Sequence, residues 1–480
     1  MNLPSRPRLP FGLAAGRTGL VCALCAIIIV PMVADTGPGP KPLSIDDAVA
    51  KGLASDPGIR SGNFDLISAQ ARALDATFRM IPSVAVSSGY TQLSAEPVPA
   101  SLPTNTADKT TDLTNGIINA LLGEFTGAPS NSRDVRVDLQ YPVFAGFRLK
   151  EAADIAKLGV GGKTAGLELA KRAMAFEIRR AYWEATRATA NVKTLAKALE
   201  LEGVLREEMK SMADQGMVTN ADLLGEQARY DGATLALDDA KSAQQMAFMG
   251  LASLVGDADA TTAPDPLGYL LLTKPGSEPW SDPGSDVTAL IAAALASRPE
   301  TKLASIGLDV GKHAKAAANG DLMPTVLLTG NVAYGDPDPR AFPPADKFNL
   351  TWSAGVRVRY DLGTLPGALV REKAAQADID KAQADLERAR NSIALDVRRS
   401  LLSLSRTRNS LDLTKGMVAQ AQENLRVTQA KFDNGVAKRS DLLEAQIALV
   451  RANFAVENKG IDLEIAEADL DRALARQTLP

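Results

Sequence analysis

The chain has 480 residues, 45% of them hydrophobic but only 5% aromatic, and a formal net charge of −4. Few aromatic anchors, with Ala, Leu, Gln, Glu, Lys and Arg crowding the long segments, favour extended helices over a large globular core. The acidic balance argues against nucleic-acid binding, which calls for a basic face.

Residues 1–34 read as a secretory signal. Arg6, Arg8 and Arg17 form a basic region, Thr18 to Val33 is uncharged and mostly apolar, and Ala34 supplies a small residue at the cleavage point. That apolar run is shorter than the roughly 20 residues that span a bilayer as a helix, so cleavage is expected in preference to a permanent anchor. Cys22 and Cys25 both lie inside it, and neither follows the small-residue pattern of a lipoprotein signal. Cleavage removes three of 53 basic residues and no acid, leaving 50 against 57 and a net charge of −7. The mature chain then has no disulfides and no thiolate metal site.

Ser44 to Ile81 carries helical periodicity, with Ser44 placed to cap and Asp46 and Asp47 in the first turn. Asp56-Pro57 interrupts it, because a residue preceding proline is pushed out of the helical region. After Pro82, Val84, Val86 and Tyr90 alternate with small or polar residues, which predicts a strand over about 82–93. A copy follows 242 residues later, from Arg298-Pro299 to Pro324 and a strand over about 324–335.

A gap over about 93–131, rich in Pro, Thr, Asn and Gly, and one over about 335–348, with five residues Pro or Gly, read as exposed loops. A second strand is expected after each, over 132–144 and 349–361. Val135, Val137, Leu139, Tyr141 and Val143 share one face of the first. Trp352, Ala354, Val356, Val358 and Tyr360 share one face of the second. A half-buried soluble sheet alternates in the same way. Four such strands in a secreted chain favour an outer-membrane barrel.

Helices of about 147–214 and 367–433 come next, each on the order of 100 Å long. In the second, Leu404, Thr407, Leu411, Thr414, Val418, Ala421, Leu425, Thr428 and Phe432 keep 3,4 spacing, a narrow coiled-coil seam. Gly216 and Gly435 end the pair, and further helices run over about 219–251 and 439–475. Tyr141 and Tyr360, Gly216 and Gly435, and Gln227 and Gln446 all stand 219 residues apart. The chain is therefore an internal duplication: a first repeat over 35–255, a Pro-, Gly- and Asp-rich linker over 256–285, and a second repeat over 286–480.

Little in the sequence resembles catalytic chemistry, and no cofactor is expected. Gly159-Val160-Gly161-Gly162-Lys163-Thr164 has the end of a phosphate-binding loop, but Lys157 stands where the first glycine belongs and a helical run precedes it. His313, the single histidine, has no carboxylate or cysteine at ligand spacing along the chain, so no metal site is expected. Asp222 and Asp441 recur six residues after the turn glycines. Two readings stay open for them, a helix-capping acid and a ring of acids at a pore mouth. Glu444 adds a carboxylate where the first copy has Gly225.

The arrangement resembles the TolC-type outer-membrane efflux protein family over essentially the whole mature chain. The resemblance is carried by Leu43-Ser44-Ile45-Asp46-Asp47-Ala48-Val49, Asp56-Pro57, Ile81-Pro82 and Tyr141-Pro142-Val143-Phe144-Ala145-Gly146. The two turns complete it, Gly216-Met217-Val218 leading to Asp222-Leu223-Leu224 and Gly435-Val436-Ala437 leading to Asp441-Leu442-Leu443-Glu444. It implies a mainly α fold with a small β part, in which long helical hairpins form a trimeric tunnel. Four strands per protomer would contribute to a 12-stranded transmembrane barrel.

It further implies a non-enzymatic exit duct in the outer membrane, with the helices in the periplasm. Gly216, Met217, Val218, Gly435, Val436 and Ala437 would dock on a periplasmic adaptor, itself bound to an inner-membrane pump or ABC transporter. Asp441 and Glu444 would form an acidic constriction, and Asp222 would help to hold the tip closed. Phe432 and Ala437 stand where the best-known members carry a tyrosine and an arginine, which implies a more weakly held resting tip. A type I protein-secretion channel and a soluble periplasmic coiled-coil scaffold are the alternatives.

Overall fold

A computed structural model describes residues 43–92, 108–124, 131–256, 286–336, 338 and 347–476. The signal expected over 1–34 and nearly all of the linker expected over 256–285 lie outside the described residues. The first half runs α1 (Ile45–Ser55), α2 (Pro57–Phe78), β1 (Ser83–Gln92), α3 (Lys109–Glu124), β2 (Asn131–Ala145), α4 (Arg148–Asp214) and α5 (Asn220–Val255). The second runs α6 (Val287–Ser297), α7 (Pro299–Gly320), β3 (Thr325–Asp336), β4 (Asn349–Arg359), α8 (Leu365–Asp433) and α9 (Arg439–Ala473). α3 occupies part of the gap read as loop and corrects that expectation. Its Leu113 and Ile117 keep a helical four-residue spacing, but they are exposed and sit among Thr, Asn and Gly.

The strands form one antiparallel sheet in the order β1-β2-β3-β4. Register decides its character. Val84 and Val86 pair with Leu139 and Val137, Val137 pairs with Val332, and Val332 with Trp352. Leu328 lies between Tyr141 and Val356. Residues directly opposite one another share a face, so one face is apolar across all four strands. The other carries Ser87, Arg136, Asp138, Asn331 and Arg357, with Asn331 donating to the Asp138 carboxylate at 2.7 Å. One position departs from the expected alternation: the register shifts between Pro142 and Phe144, so Phe144, in place of Val143, meets Val326. Bulges change which side chain a face presents.

α4 and α8, of 67 and 69 residues, are the two long rods. α2 and α7 pack near their sheet-side ends, while α5 and α9 fold back along the remainder. The seam expected on α8 faces inward: every member from Leu404 to Phe432 is buried or half-buried.

Two cores show how the duplication was kept. One gathers Ala48, Val49, Ile178, Ala185, Leu251 and Val255; the other gathers Leu290, Ala294, Val397, Leu404, Leu470 and Leu474. Ala48 corresponds to Leu290, Ile178 to Val397, Ala185 to Leu404, Leu251 to Leu470 and Val255 to Leu474 at the two repeat offsets. A serine hydroxyl donates across the junction in each half, Ser55 to the Val255 carbonyl at 2.9 Å and Ser297 to that of Leu474 at 3.4 Å.

The packing differs at one compensated pair. Gly52 lies so close to Ile178 that a Cβ there would overlap its Cδ1 and stand 2.8 Å from the Leu254 carbonyl oxygen. The equivalent residues are Ala294 and Val397, one methyl group larger and one smaller. Polar contacts differ too. Arg298 stands where the first copy has Asp56, and it binds Glu300 and, at 2.7 Å, Asp396. Burial pushes the Asp396 carboxyl up, but the guanidinium groups of Arg298 and Arg472 hold it below its usual range.

Overpacking a filled core costs about 1–3 kcal/mol, so Gly52→Ala should lower the thermal midpoint clearly. Adding Ile178→Val should recover part of the loss, because it recreates the pair used by the second copy. Strictly additive losses in a double-mutant cycle would contradict the compensation.

Candidate functional site

The two hairpin tips share the same pair of turn-closing backbone hydrogen bonds. Gly216 N–H donates to Ala213 and Met217 N–H to Met212, both at 2.9 Å. Gly435 donates to Phe432 at 2.9 Å and Val436 to Lys431 at 2.8 Å, each 219 residues on. Both glycines take left-handed backbone, φ 71° and 72°. This is the geometry in which glycine ends a helix without steric cost. Met217 and Val436 are left 62% and 76% exposed, an apolar point on each turn.

Asp222 and Asp441 both serve as capping acids. The Asp222 carboxylate accepts from Thr219 N–H at 3.0 Å and from the Thr219 hydroxyl at 2.7 Å, while Thr219 Oγ1 accepts from Asp222 N–H at 3.2 Å. Hydrogen bonds from Thr219 hold its carboxyl below the usual range. Asp441 accepts from Lys438 N–H at 3.0 Å, and a lysine side chain has no acceptor with which to reciprocate. Glu444 caps nothing. Its carboxylate is 63% exposed and lies 3.8 Å from the Arg229 guanidinium on α5.

Sequence reasoning did not single out Arg229, nor Arg439, which stands 3.7 Å from Glu208 on α4. Both pairs tie one hairpin to the other, joining residues far apart in sequence, so no local pattern announces them. Nearby, burial and the neighbouring Glu226 charge push the Glu202 carboxyl up.

Elsewhere, Val137, Leu139, Tyr141, Val356 and Val358 lie on the apolar sheet face, and Tyr360 follows one residue beyond the end of β4. The glycine-rich 159–164 stretch is an uninterrupted part of α4. His313 corrects the sequence reading: Glu151, 162 residues away, stands 2.6 Å from its Nδ1.

Comparison with known proteins places this geometry in a family. The family described as "Outer membrane efflux protein" matches residues 49–257 and 290–476, which is most of both repeats. The outer membrane protein TolC of Vibrio cholerae is 24% identical over 306 residues, 63% of this chain and 68% of that protein. Protein CyaE of Bordetella pertussis is 25% identical over 274 residues, 56% of this chain and 55% of that protein. The Campylobacter jejuni CmeC outer membrane channel superposes with a TM-score of 0.71 over 90% of this chain and 85% of that one. At 15% identity that last likeness speaks for the fold.

The chain belongs to the outer membrane efflux protein family. It is an outer-membrane channel protein whose long helices lie on the periplasmic side.

The cap at Thr219 is testable. Thr219→Ala should cost about 1 kcal/mol locally and raise amide exchange through the first turn of α5. Unchanged exchange there would show that the bonds of the Thr219 hydroxyl do not hold the turn.

Proposed function

We propose that the protein is the passive exit duct of a tripartite export assembly, with three copies closing one 12-stranded barrel and one helical tunnel beneath it. The observation that carries this reading is the sheet. Val86, Tyr90, Trp352, Val356 and Val358 are each more than 60% exposed on its apolar face, and β1 and β4 are free edges. In hydrocarbon an open edge leaves backbone groups unsatisfied, and a closed barrel takes about eight strands or more. Strand directions alternate, so β4 of one copy meets β1 of the next antiparallel, and the same pairing repeats around the ring.

The helices support the same arrangement. α9 packs on α4, burying Leu443 with Leu201, Leu205 and Ile447. Leu224, its counterpart 219 residues earlier, is 69% exposed. Setting α8 of the next copy beside α5 covers Leu224 as α4 covers Leu443, a head-to-tail contact that closes into a ring. Exposed Leu402 and Leu413 on α8 await partners in the same ring.

The tips at Gly216–Val218 and Gly435–Ala437 then meet the hairpins of a periplasmic adaptor, which couples the duct to an inner-membrane pump or ABC transporter. Asp222, Asp441 and Glu444 line the entrance. Arg229–Glu444 and Arg439–Glu208 hold the resting tip in place of the contacts that Phe432 and Ala437 cannot make. Exposed ion pairs contribute about 0–1 kcal/mol each, so the closed state is weakly held.

Val356→Lys should impair assembly by about 2–4 kcal/mol if that residue meets mid-membrane lipid. Normal trimer yield in outer-membrane fractions would reject the facing, and a wild-type protein soluble without detergent would reject the channel. In planar bilayers, Asp441→Asn with Glu444→Gln should weaken cation preference and block by multivalent cations. Unchanged selectivity would remove these acids from the entrance.

A further inference from the structure

Where the sheet gives way to the helices, two acids meet the chain's single histidine. Glu151 and Asp154 lie three residues apart at the start of α4, and His313 belongs to α7. His313 Nδ1 stands 2.6 Å from Glu151 Oε2, and one ligand atom from each of the three residues lies within 4.8 Å of the others. The Glu151 side chain is only 13% exposed.

The neighbouring cations are mostly committed elsewhere. Lys312 pairs with Asp309, Lys315 with Glu372 and Arg148 with Asp321. Among the described residues, Lys157 alone pairs with the trio, 3.4 Å from Asp154 and with its side chain 61% exposed. Two carboxylates thus share one imidazole and one loosely held ammonium.

We propose that Glu151, Asp154 and His313 form a site for a divalent first-row transition cation of the zinc type, clipping α4 to α7. Nitrogen and oxygen ligands about 2.0–2.2 Å from such an ion stand about 3.3 Å apart in a tetrahedron. The histidine–glutamate contact opens by less than about 1 Å and Asp154 closes by at most about 1.5 Å, movements that side-chain rotation supplies. One imidazole with two carboxylates suits a borderline cation. Calcium prefers an all-oxygen shell and copper(I) prefers sulfur. A water completes the shell, and Lys157 moves out to solvent.

The test is zinc titration of the full-length, detergent-purified, chelator-stripped protein by calorimetry in millimolar magnesium, with cobalt(II) absorption as a second readout. In the Asp441→Asn/Glu444→Gln background, which removes the entrance carboxylates, one saturable zinc per chain is expected, weakened at least tenfold by His313→Ala and by Glu151→Gln. Lys157→Ala keeps every ligand and removes the competing cation, so it should bind several-fold more tightly. The absence of saturable binding, equal affinity in His313→Ala, or no gain in Lys157→Ala would each overturn the site.

Discussion

A backbone N–H or C=O left without a partner in hydrocarbon costs several kcal/mol, and β1 and β4 each present a row of them. Most other features answer to that constraint. Once the edges are satisfied by neighbouring copies, the axial level of every copy is set by strand register, to within a single residue. α4 and α8 descend from that level for 67 and 69 residues. Their turns come to matched depth only because the repeat spacing is kept to the residue. A one-residue slip in the sheet would also invert its faces, setting Arg136, Asp138 and Arg357 where the apolar side chains now stand.

The duplication is faithful where geometry is shared and free where it is not. Both halves keep the tip hydrogen bonds, the junction serine and the left-handed residue that ends the return helix, Gly256 in one and Ala475 in the other. They diverge in the acid after the second turn, in the buried Arg298 network and in the gap between the strands. A pseudo-symmetric wall can present a different chemistry at every other hairpin without losing its closure.

Much of this was legible in the sequence because it is periodic. Alternation in Val135–Tyr141 and Trp352–Val358 needs only a strand to become a face, and Gly216 and Gly435 need only a left-handed turn. The legible features are those in which one residue's environment follows from its neighbours along the chain. What escaped reading depends on distant partners or on mixed composition. His313 and Glu151 meet across 162 residues, and Arg229 meets Glu444 from a different hairpin. α3 carries too many Thr and Asn residues for Leu113 and Ile117 to stand out. The bulge at Pro142–Phe144 shows a smaller limit: alternation predicted Val143 on the apolar face, and one extra residue handed the place to Phe144.

The complementary pair at the two junctions also bears on how far the halves can be exchanged. Copying α1 over α6 would set a glycine against Val397 and leave a void. Copying α6 over α1 would drive the Ala294 methyl into Ile178. Neither half can take the other's residue at this position alone, so a small difference in side-chain volume ties each helix to its own partner and leaves the two hairpins free to diverge separately.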